Sequence, residues 1–589
     1  MYLPTTKQEL DALGWERPDA IIITGDTYID SPYIGAAVIG KVLAAQGFKV
    51  GIIAQPNLEN DADITRLGEP RLFWGVTSGS VDSLVANYTA SKKRRQRDDF
   101  TPGGINNRRP DRAVIAYTNL IRRYFKNTRP IVLGGIEASL RRVAHYDYWS
   151  DSIRRSLLFD AKADYLVYGM SELAVLEIAA KLQKNEPLDT VRGLCYIAAA
   201  ARPNYLTLPA YDAVKNDPQQ FERMFHLFYQ NSEPLTARGL CQQQDSRFLI
   251  HNPPGRSLTM PELDAVHELD YERDVHPFYQ GQGPVPALET IKFSLTTHRG
   301  CYGECNFCSI AVHQGRTIQS RSEDSVVREA AVLAGLPDFK GYILDVGGPT
   351  ANMYGGDCPV KLKKGACLNK RCLFPEVCPN LPTLHHKQIR LLQRIRRIPG
   401  IKKVFIASGI RYDLILDDQK SGRAYLRELI GHHISGQLKI APEHSEDRVL
   451  KLMGKPPRKK LQAFHELFHS LNRENAGEHG KRQFLTYYLI AAHPGCEMED
   501  MHKLREFAAR EMKLRPEQVQ IYTPLPSTYS ALMYYTGWNP FTGERLFSEK
   551  NPAQKERQKQ AVVASAPSRP RRSKRIAETG VISQKSDKR

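Results

Sequence analysis

Three cysteines, Cys301, Cys305 and Cys308, lie within eight residues, after a short β-like run and a glycine. In a reducing compartment, three soft thiolates on one loop indicate a metal site. Structural zinc usually takes four protein ligands, and His313 could supply the fourth. An iron–sulfur cluster would instead leave one iron open to an exogenous ligand. Spacing favours the cluster only slightly, so both interpretations stay open at this point.

Four further cysteines, Cys358, Cys367, Cys372 and Cys378, lie in a segment with little apolar content. Such a segment cannot build its own hydrophobic core, so its thiols indicate a bound metal that stabilises it. Their spacing matches neither a paired zinc ribbon nor a bacterial ferredoxin run. An auxiliary iron–sulfur cluster and a structural zinc are equal alternatives, and unligated thiols are the third.

The elements that must position these thiols alternate between strands and helices. In residues 1–200, strand-like apolar runs separated by helical patterns predict a doubly wound parallel sheet. These runs lie at 20–24, 49–54, 71–76, 130–135 and 164–169. Ligands of such sheets bind at the carboxyl ends of the strands.

Periodicity weakens over 201–285, which we interpret as a connector. Six strand–helix units then predict a partial (β/α)6 barrel over 286–530, with its chemistry at the carboxyl ends of the strands. The three clustered cysteines follow the first of these strands, which favours the open cluster over zinc. We expect a C-terminal extension at 531–555 and a disordered basic tail at 556–589.

Composition fits a soluble globular protein, with 41% hydrophobic and 25% charged residues. No apolar run approaches the roughly 20 residues that span a bilayer, and the N-terminus does not resemble a signal peptide. We therefore predict a cytoplasmic protein without a membrane partner. The net charge is +19, and residues 551–589 alone hold eleven Lys or Arg against three Asp or Glu. This tail could contact RNA or be merely solvated.

The Cys301-x3-Cys305-x2-Cys308 spacing, with Phe307 before the last cysteine, resembles the radical S-adenosylmethionine (SAM) superfamily over roughly 290–530. The resemblance implies that the three thiolates hold a [4Fe-4S] cluster whose open iron binds SAM. The reduced cluster would cleave SAM to a 5′-deoxyadenosyl radical. An electron donor such as flavodoxin or ferredoxin is implied as a partner.

Four further residues match the family by position. Gly347 and Gly348 stand where the family has a glycine-rich turn for the methionyl amino group of SAM, after the second strand. Ser408 and Arg411 end the third strand and would contact the ribose or carboxylate. The whole chain resembles the YgiQ-type branch of the superfamily, which implies neither a substrate nor a specific reaction.

Residues 1–200 resemble the cobalamin-binding-like domain that precedes many radical enzymes. That family carries Asp-x-His-x-x-Gly after its first strand, whereas this chain has Pro32 in the histidine position of Asp30–Gly35. Since proline cannot ligate cobalt, we favour a domain that scaffolds or recognises substrate over the alternative, a domain that binds cobalamin without a protein ligand. The alternatives to a radical enzyme of unknown substrate are an RNA-modifying radical enzyme and a non-catalytic, zinc-stabilised RNA-binding protein.

Overall fold

The computed structural model describes residues 1–368, 370–382, 384–479, 482–514, 516–517 and 519–563. The strands are β1 Ala20–Thr24, β2 Val50–Ala54, β3 Phe73–Thr77, β4 Ile131–Leu133, β5 His145–Asp147, β6 Ser152–Arg154, β7 Tyr165–Val167, β8 Leu194–Ala198, β9 Leu206–Thr207, β10 Leu240–Gln244, β11 Arg247–His251, β12 Ser294–Thr296, β13 His298–Arg299, β14 Gln319–Ser320, β15 Tyr342–Ile343, β16 Asp345–Gly347, β17 Lys403–Val404, β18 Gln437–Glu443, β19 Phe484–Ala491 and β20 Gln520–Ile521.

The α-helices are α1 Lys7–Ala12, α2 Gly35–Ala45, α3 Ser83–Asn87, α4 Ala113–Tyr124, α5 Gly135–Leu140, α6 Leu157–Ala161, α7 Glu172–Gln183, α8 Tyr211–Asn216, α9 Pro218–Gln230, α10 Met260–His267, α11 Pro277–Gln280, α12 Pro286–Ile291, α13 Ile310–Gln314, α14 Glu323–Ala334, α15 Pro359–Lys364, α16 His385–Arg396, α17 Tyr412–Asp417, α18 Gly422–Glu428, α19 Asp447–Met453, α20 Arg458–His479, α21 Met498–Arg510, α22 Tyr529–Thr536 and α23 Pro552–Val562. Short 3₁₀ turns lie at Pro102–Gly104 and Ala351–Met353, and a π turn lies at Leu429–His433.

A nine-stranded sheet organises the N-terminal half, in the order β2-β1-β3-β4-β7-β8-β11-β10-β9. The first five strands run parallel. Every residue of β1 is buried, as expected for a strand covered on both faces. Alternate β1 residues enter different cores, Ile21 and Ile23 on one face and Ile22 on the other. The predicted α/β class with a largely parallel sheet is confirmed.

Residues 201–285 differ from the connector that we predicted, because β9, β10 and β11 extend the sheet. β10 and β11 form an antiparallel hairpin, and β11 also pairs with β8. The hairpin turns at Asp245, whose φ is 56°. The hydrophobic pattern does not predict β10, because Gln242 and Gln244 occupy buried positions that apolar residues normally fill.

Apart from the short antiparallel pair β13–β14, the strands of the second half pair in parallel. β12 pairs with β16, β15 with β17, and β18 with β19, which in turn pairs with β20. A parallel bridge between Ile410 and Ile440 links the third and fourth units. A partial barrel has the same succession of parallel strand pairs. The closure of these strands into a barrel stays a prediction.

The C-terminal segment returns to the N-terminal half. In α22, Tyr529 packs on Phe225, with ring centroids 4.8 Å apart, and Tyr535 packs on Tyr146 at 5.1 Å. The helix α23 continues to Val562, beyond residue 556, where we predicted disorder to begin. The rest of the basic tail, 564–589, lies outside the described residues. No described helix has both the length and the apolar content that crossing a bilayer requires.

Candidate active site

The loop 301–308, here called the thiol loop, connects β13 to α13 and carries Cys301, Cys305 and Cys308. It begins after Gly300, whose φ is +86° and where a Cβ would lie 2.1 Å from the Thr317 carbonyl oxygen. Only glycine tolerates both conditions. The Cys308 amide donates to the Cys305 carbonyl at 3.0 Å, so the second and third thiols sit on one tight turn.

Cationic side chains lie against the thiol loop. The Arg411 Nη1 atom donates toward the Cys305 Sγ atom at 3.6 Å, while Nε donates to Asp413 at 2.8 Å. Burial raises the pKa of Cys308, and Lys455 opposes that shift. Burial also raises the pKa of Cys301. A cluster would therefore sit in a desolvated site in which Arg411 and Lys455 offset the charge of its thiolates.

Neighbouring side chains constrain two of the predicted SAM contacts, Gly348 and Ser408. A Cβ on Gly348 would lie 2.6 Å from the His298 ring, so this turn must be bare backbone. The Ser408 amide donates to the Asp345 carboxylate at 3.0 Å, and its hydroxyl also donates there. Asp345 was not among the predicted residues. A charged residue between Leu344 and Val346 in a buried strand is the signal that could have identified it.

A cavity of about 510 Å³ lies between the two halves of the chain. The N-terminal sheet contributes residues after β1, β3, β4 and β7, which are Asp26, Gly79, Gly134 and Gly169. Gly347, Gly348 and Ser408 line it from the second half, whereas Arg411 does not. The volume is in the range of about 300–1,000 Å³ that is typical of small-molecule sites. The structure thus joins three of the predicted SAM contacts in one cavity and places Arg411 at the thiols.

Three residues that line this cavity carry buried polar atoms without partners in the described residues. These atoms are both ring nitrogens of His267, Nε2 of His298 and Oε2 of Glu172, and all three residues line the cavity. Burial lowers the pKa of His298 to about 4, so its ring is neutral near pH 7. Buried polar groups are normally hydrogen-bonded, so these atoms indicate a polar ligand or ordered water.

His313, the alternative zinc ligand, faces a different partner. Its Nδ1 atom lies 2.9 Å from the Ser139 hydroxyl of the N-terminal half. Across the described part of the chain, no three His, Cys, Asp or Glu side chains are placed to hold a single metal ion. The geometry therefore gives the three-Cys-one-His zinc site no support.

The four cysteines of the second group differ in their exposure to solvent. Cys358 is buried, Cys372 and Cys378 are half-buried, and Cys367 is exposed. The first three pack in one small apolar cluster that also receives Cys301. Tertiary structure thus brings part of this group to the thiol loop, although 50 residues separate Cys308 from Cys358 in the sequence.

Comparison with known proteins identifies the family. The chain is 56% identical to a UPF0313 protein of Fusobacterium nucleatum, over 95% of this chain and 98% of the relative. The UPF0313 protein of Thermotoga neapolitana is 47% identical over 97% of this chain and all of the relative. The chain belongs to the UPF0313 family. The Radical SAM N-terminal family matches residues 2–294. The predicted superfamily is confirmed, and the chain is a radical SAM enzyme of unspecified reaction.

Solved structures of radical SAM enzymes align with most of the chain. The methyltransferase TsrM of Kitasatospora setae, with cobalamin and a [4Fe-4S] cluster bound, is 14% identical over 92% of this chain and 84% of its own, with a TM-score of 0.48. OxsB, a cobalamin-dependent SAM radical enzyme with aqua-cobalamin and SAM bound, is 12% identical over 93% of this chain and 58% of its own, also at 0.48.

These two proteins correct one expectation. We disfavoured cobalamin, because Pro32 stands in the position of the cobalt-ligating histidine. Both aligned structures contain cobalamin, so the prediction against it was wrong and cobalamin is possible. A missing protein ligand removes one bond to cobalt, and that loss alone does not exclude the cofactor.

Proposed function

We propose that this chain binds a [4Fe-4S] cluster through Cys301, Cys305 and Cys308 and reductively cleaves SAM. One observation carries the proposal: the three half-buried thiols share one loop, with Arg411 against Cys305. When bound, the reduced cluster supplies an electron that cleaves SAM to methionine and a 5′-deoxyadenosyl radical. An electron donor such as flavodoxin or ferredoxin would supply that electron.

The chain's own residues would bind and orient SAM. Gly347 and Gly348 present bare backbone at the end of β16, and the Ser408 hydroxyl lies beside them with Asp345. We assign Arg411 to the thiol loop instead of the SAM carboxylate, because Nε and Nη2 are bonded to Asp413 and Nη1 faces Cys305. The protein's part is to position the cofactor and exclude competing reactions.

Anaerobic reconstitution tests this proposal. The full chain is loaded with iron and sulfide, reduced with dithionite and mixed with SAM, and 5′-deoxyadenosine is measured. Cys305→Ala should abolish product, whereas Cys241→Ala, at a buried position in β10, should retain it. A wild-type protein that holds zinc without iron and forms no 5′-deoxyadenosine would overturn the proposal.

A cobalamin-dependent reaction, such as the methyl transfer that TsrM performs, is the second candidate. The cavity favours it, because it continues as an apolar slot under α2 and α7. Ile22, Gly75 and Val132 of the sheet and Val38 and Val175 of these helices line that slot. Such a slot would receive the apolar part of a large cofactor, and Pro32 and Tyr33 also line the cavity. Bound cobalamin would supply a carrier for the methyl group.

Absorption spectroscopy after incubation with aqua-cobalamin and desalting tests the second candidate. Gly75→Leu should reduce retained cobalamin, because a Cβ there meets Ile22 at 3.5 Å and a longer side chain extends into the slot. Gly281→Leu is the matched control, since a Cβ at Gly281 meets no atom within 4 Å. If wild type retains no cobalamin, or if both variants retain as much as wild type, the slot is not its site.

A further inference from the structure

We propose that Cys358, Cys372 and Cys378, here called the second set, bind a second [4Fe-4S] cluster beside the thiol loop. Cys358 is only 8% exposed, and Cys372 and Cys378 pack against the same small group of buried side chains. The Cys378 amide donates to the Cys372 carbonyl at 2.8 Å, so these two thiols sit on one turn. The proposal concerns different residues from those of the proposed function and does not depend on it.

The segment that carries the second set has too small a core of its own. Its buried cluster consists of seven residues: Tyr302, Ile318, Met353, Cys358, Leu373, Leu381 and Leu414. Nearby apolar side chains face outward instead, with Leu368 73% and Leu362 52% exposed. A segment with so little burial needs another source of stability, and three thiols packed in one cluster indicate a metal cofactor.

Polar contacts hold this segment against the thiol loop and against the residues that follow α13. The Asp357 carboxylate accepts from the Ile318 amide at 2.8 Å, and Lys361 donates to the Arg316 carbonyl at 2.7 Å. Arg371, next to Cys372, donates to Asn306 Oδ1 at 2.6 Å. These contacts hold the second set beside the thiol loop, and Tyr302 packs in the same small cluster as Cys301 and Cys372.

The number and placement of the thiols favour a cluster over zinc. Structural zinc takes four ligands that converge on one ion. Cys367 is exposed and outside the buried cluster, and no three ligating side chains in the described ranges converge on a single ion. A four-iron cluster separates its ligands onto different irons, so thiolates can bind it without such convergence. Lys361, which pairs with Asp357 at 2.6 Å, lies near Cys372 and would offset part of the thiolate charge.

Metal analysis of the reconstituted full chain tests the second site. Wild type should hold about eight irons, and a variant with all three thiol-loop cysteines changed to alanine should keep about four irons and four sulfides. Adding Cys372→Ala to that variant should remove the remaining iron. Adding Cys367→Ala instead should leave the iron unchanged, because this thiol is exposed. Circular dichroism establishes that each variant is folded.

Each result separates this proposal from the proposed function. If the thiol-loop variant holds no iron while wild type holds about four, the second cluster is absent and the first stands. If both proteins hold about four irons, the second cluster stands and the thiol loop has failed. Stoichiometric zinc in the thiol-loop variant, a disulfide within the second set, or iron loss from Cys367→Ala would overturn the ligand assignment.

Discussion

The Arg411 guanidinium connects Cys305 to Asp413. Its Nη1 atom lies 3.6 Å from the Cys305 Sγ atom, and Nε and Nη2 donate to the two Asp413 oxygens at 2.8 and 2.5 Å. Arg411 is 6% exposed and Asp413 is 1% exposed, so the pair is held away from water. A cation in a fixed orientation thus faces a thiol that we assign to the cluster.

Arg411→Met should lower the free energy of unfolding by about 3–5 kcal/mol, because it leaves Asp413 buried and unpaired. Arg411→Met/Asp413→Leu removes both charges and should recover most of that loss in urea unfolding. The double variant should still bind iron poorly and cleave SAM slowly, since the thiol has lost its cation. A double variant with wild-type cleavage would show that Arg411 acts only on folding.

Gly348→Ala should raise the KM for SAM and lower the free energy of unfolding by about 1–3 kcal/mol, because its Cβ would overlap the His298 ring. Gly409→Ala is the matched control, since a Cβ there meets no atom within 4 Å. Gly348→Ala/His298→Ala should recover stability. Equal activity of the two single alanine variants would contradict the assignment of this turn.

Glu172→Gln should cost about 3–5 kcal/mol of unfolding free energy, because Arg299 would keep a buried charge without its carboxylate partner. The pair joins the two halves of the chain beside the cavity. Asp164→Asn, in the exposed pair with Arg122, should cost about 0–1 kcal/mol and serves as the control. Limited proteolysis should also cleave the Glu172 variant faster than the control, and similar stability of the two would refute the role of this pair.

Stability should fall as the pH drops from about 6.5 to 4, because burial lowers the pKa of His298, His313 and His444 to about 4 each. In the unfolded chain these rings bind protons near pH 6.5, so the unfolded state takes up more protons across this window and becomes favoured. Each ring should contribute at most about 3 kcal/mol, which is present above pH 6.5 and lost by pH 4.

His313→Gln tests this pH dependence, with His386→Gln at an exposed position as the control. Urea unfolding of each variant and of wild type is compared at pH 5 and pH 7. The His313 variant should lose less stability between the two values than wild type, and the His386 variant should lose as much. An unchanged pH dependence in the His313 variant would contradict the burial argument.

The sequence determined the features that depend on local pattern. Apolar runs such as 20–24 predicted buried parallel strands, since such a strand needs apolar residues on both faces. The spacing of Cys301, Cys305 and Cys308 predicted a shared ligand site, because a few residues of chain cannot separate the thiols widely. The resemblance to the radical SAM superfamily rested on this spacing and was confirmed.

Tertiary structure decided the features that join distant residues. It placed Gly134 and Gly347 in one cavity, although the two halves of the sequence share no pattern that predicts their contact. It placed the Arg411 guanidinium against the Cys305 thiol and packed Cys358 beside the thiol loop. It also added the β10–β11 hairpin to the sheet. Such pairings depend on which buried surfaces and charges fit together after folding, and neither spacing nor periodicity records that.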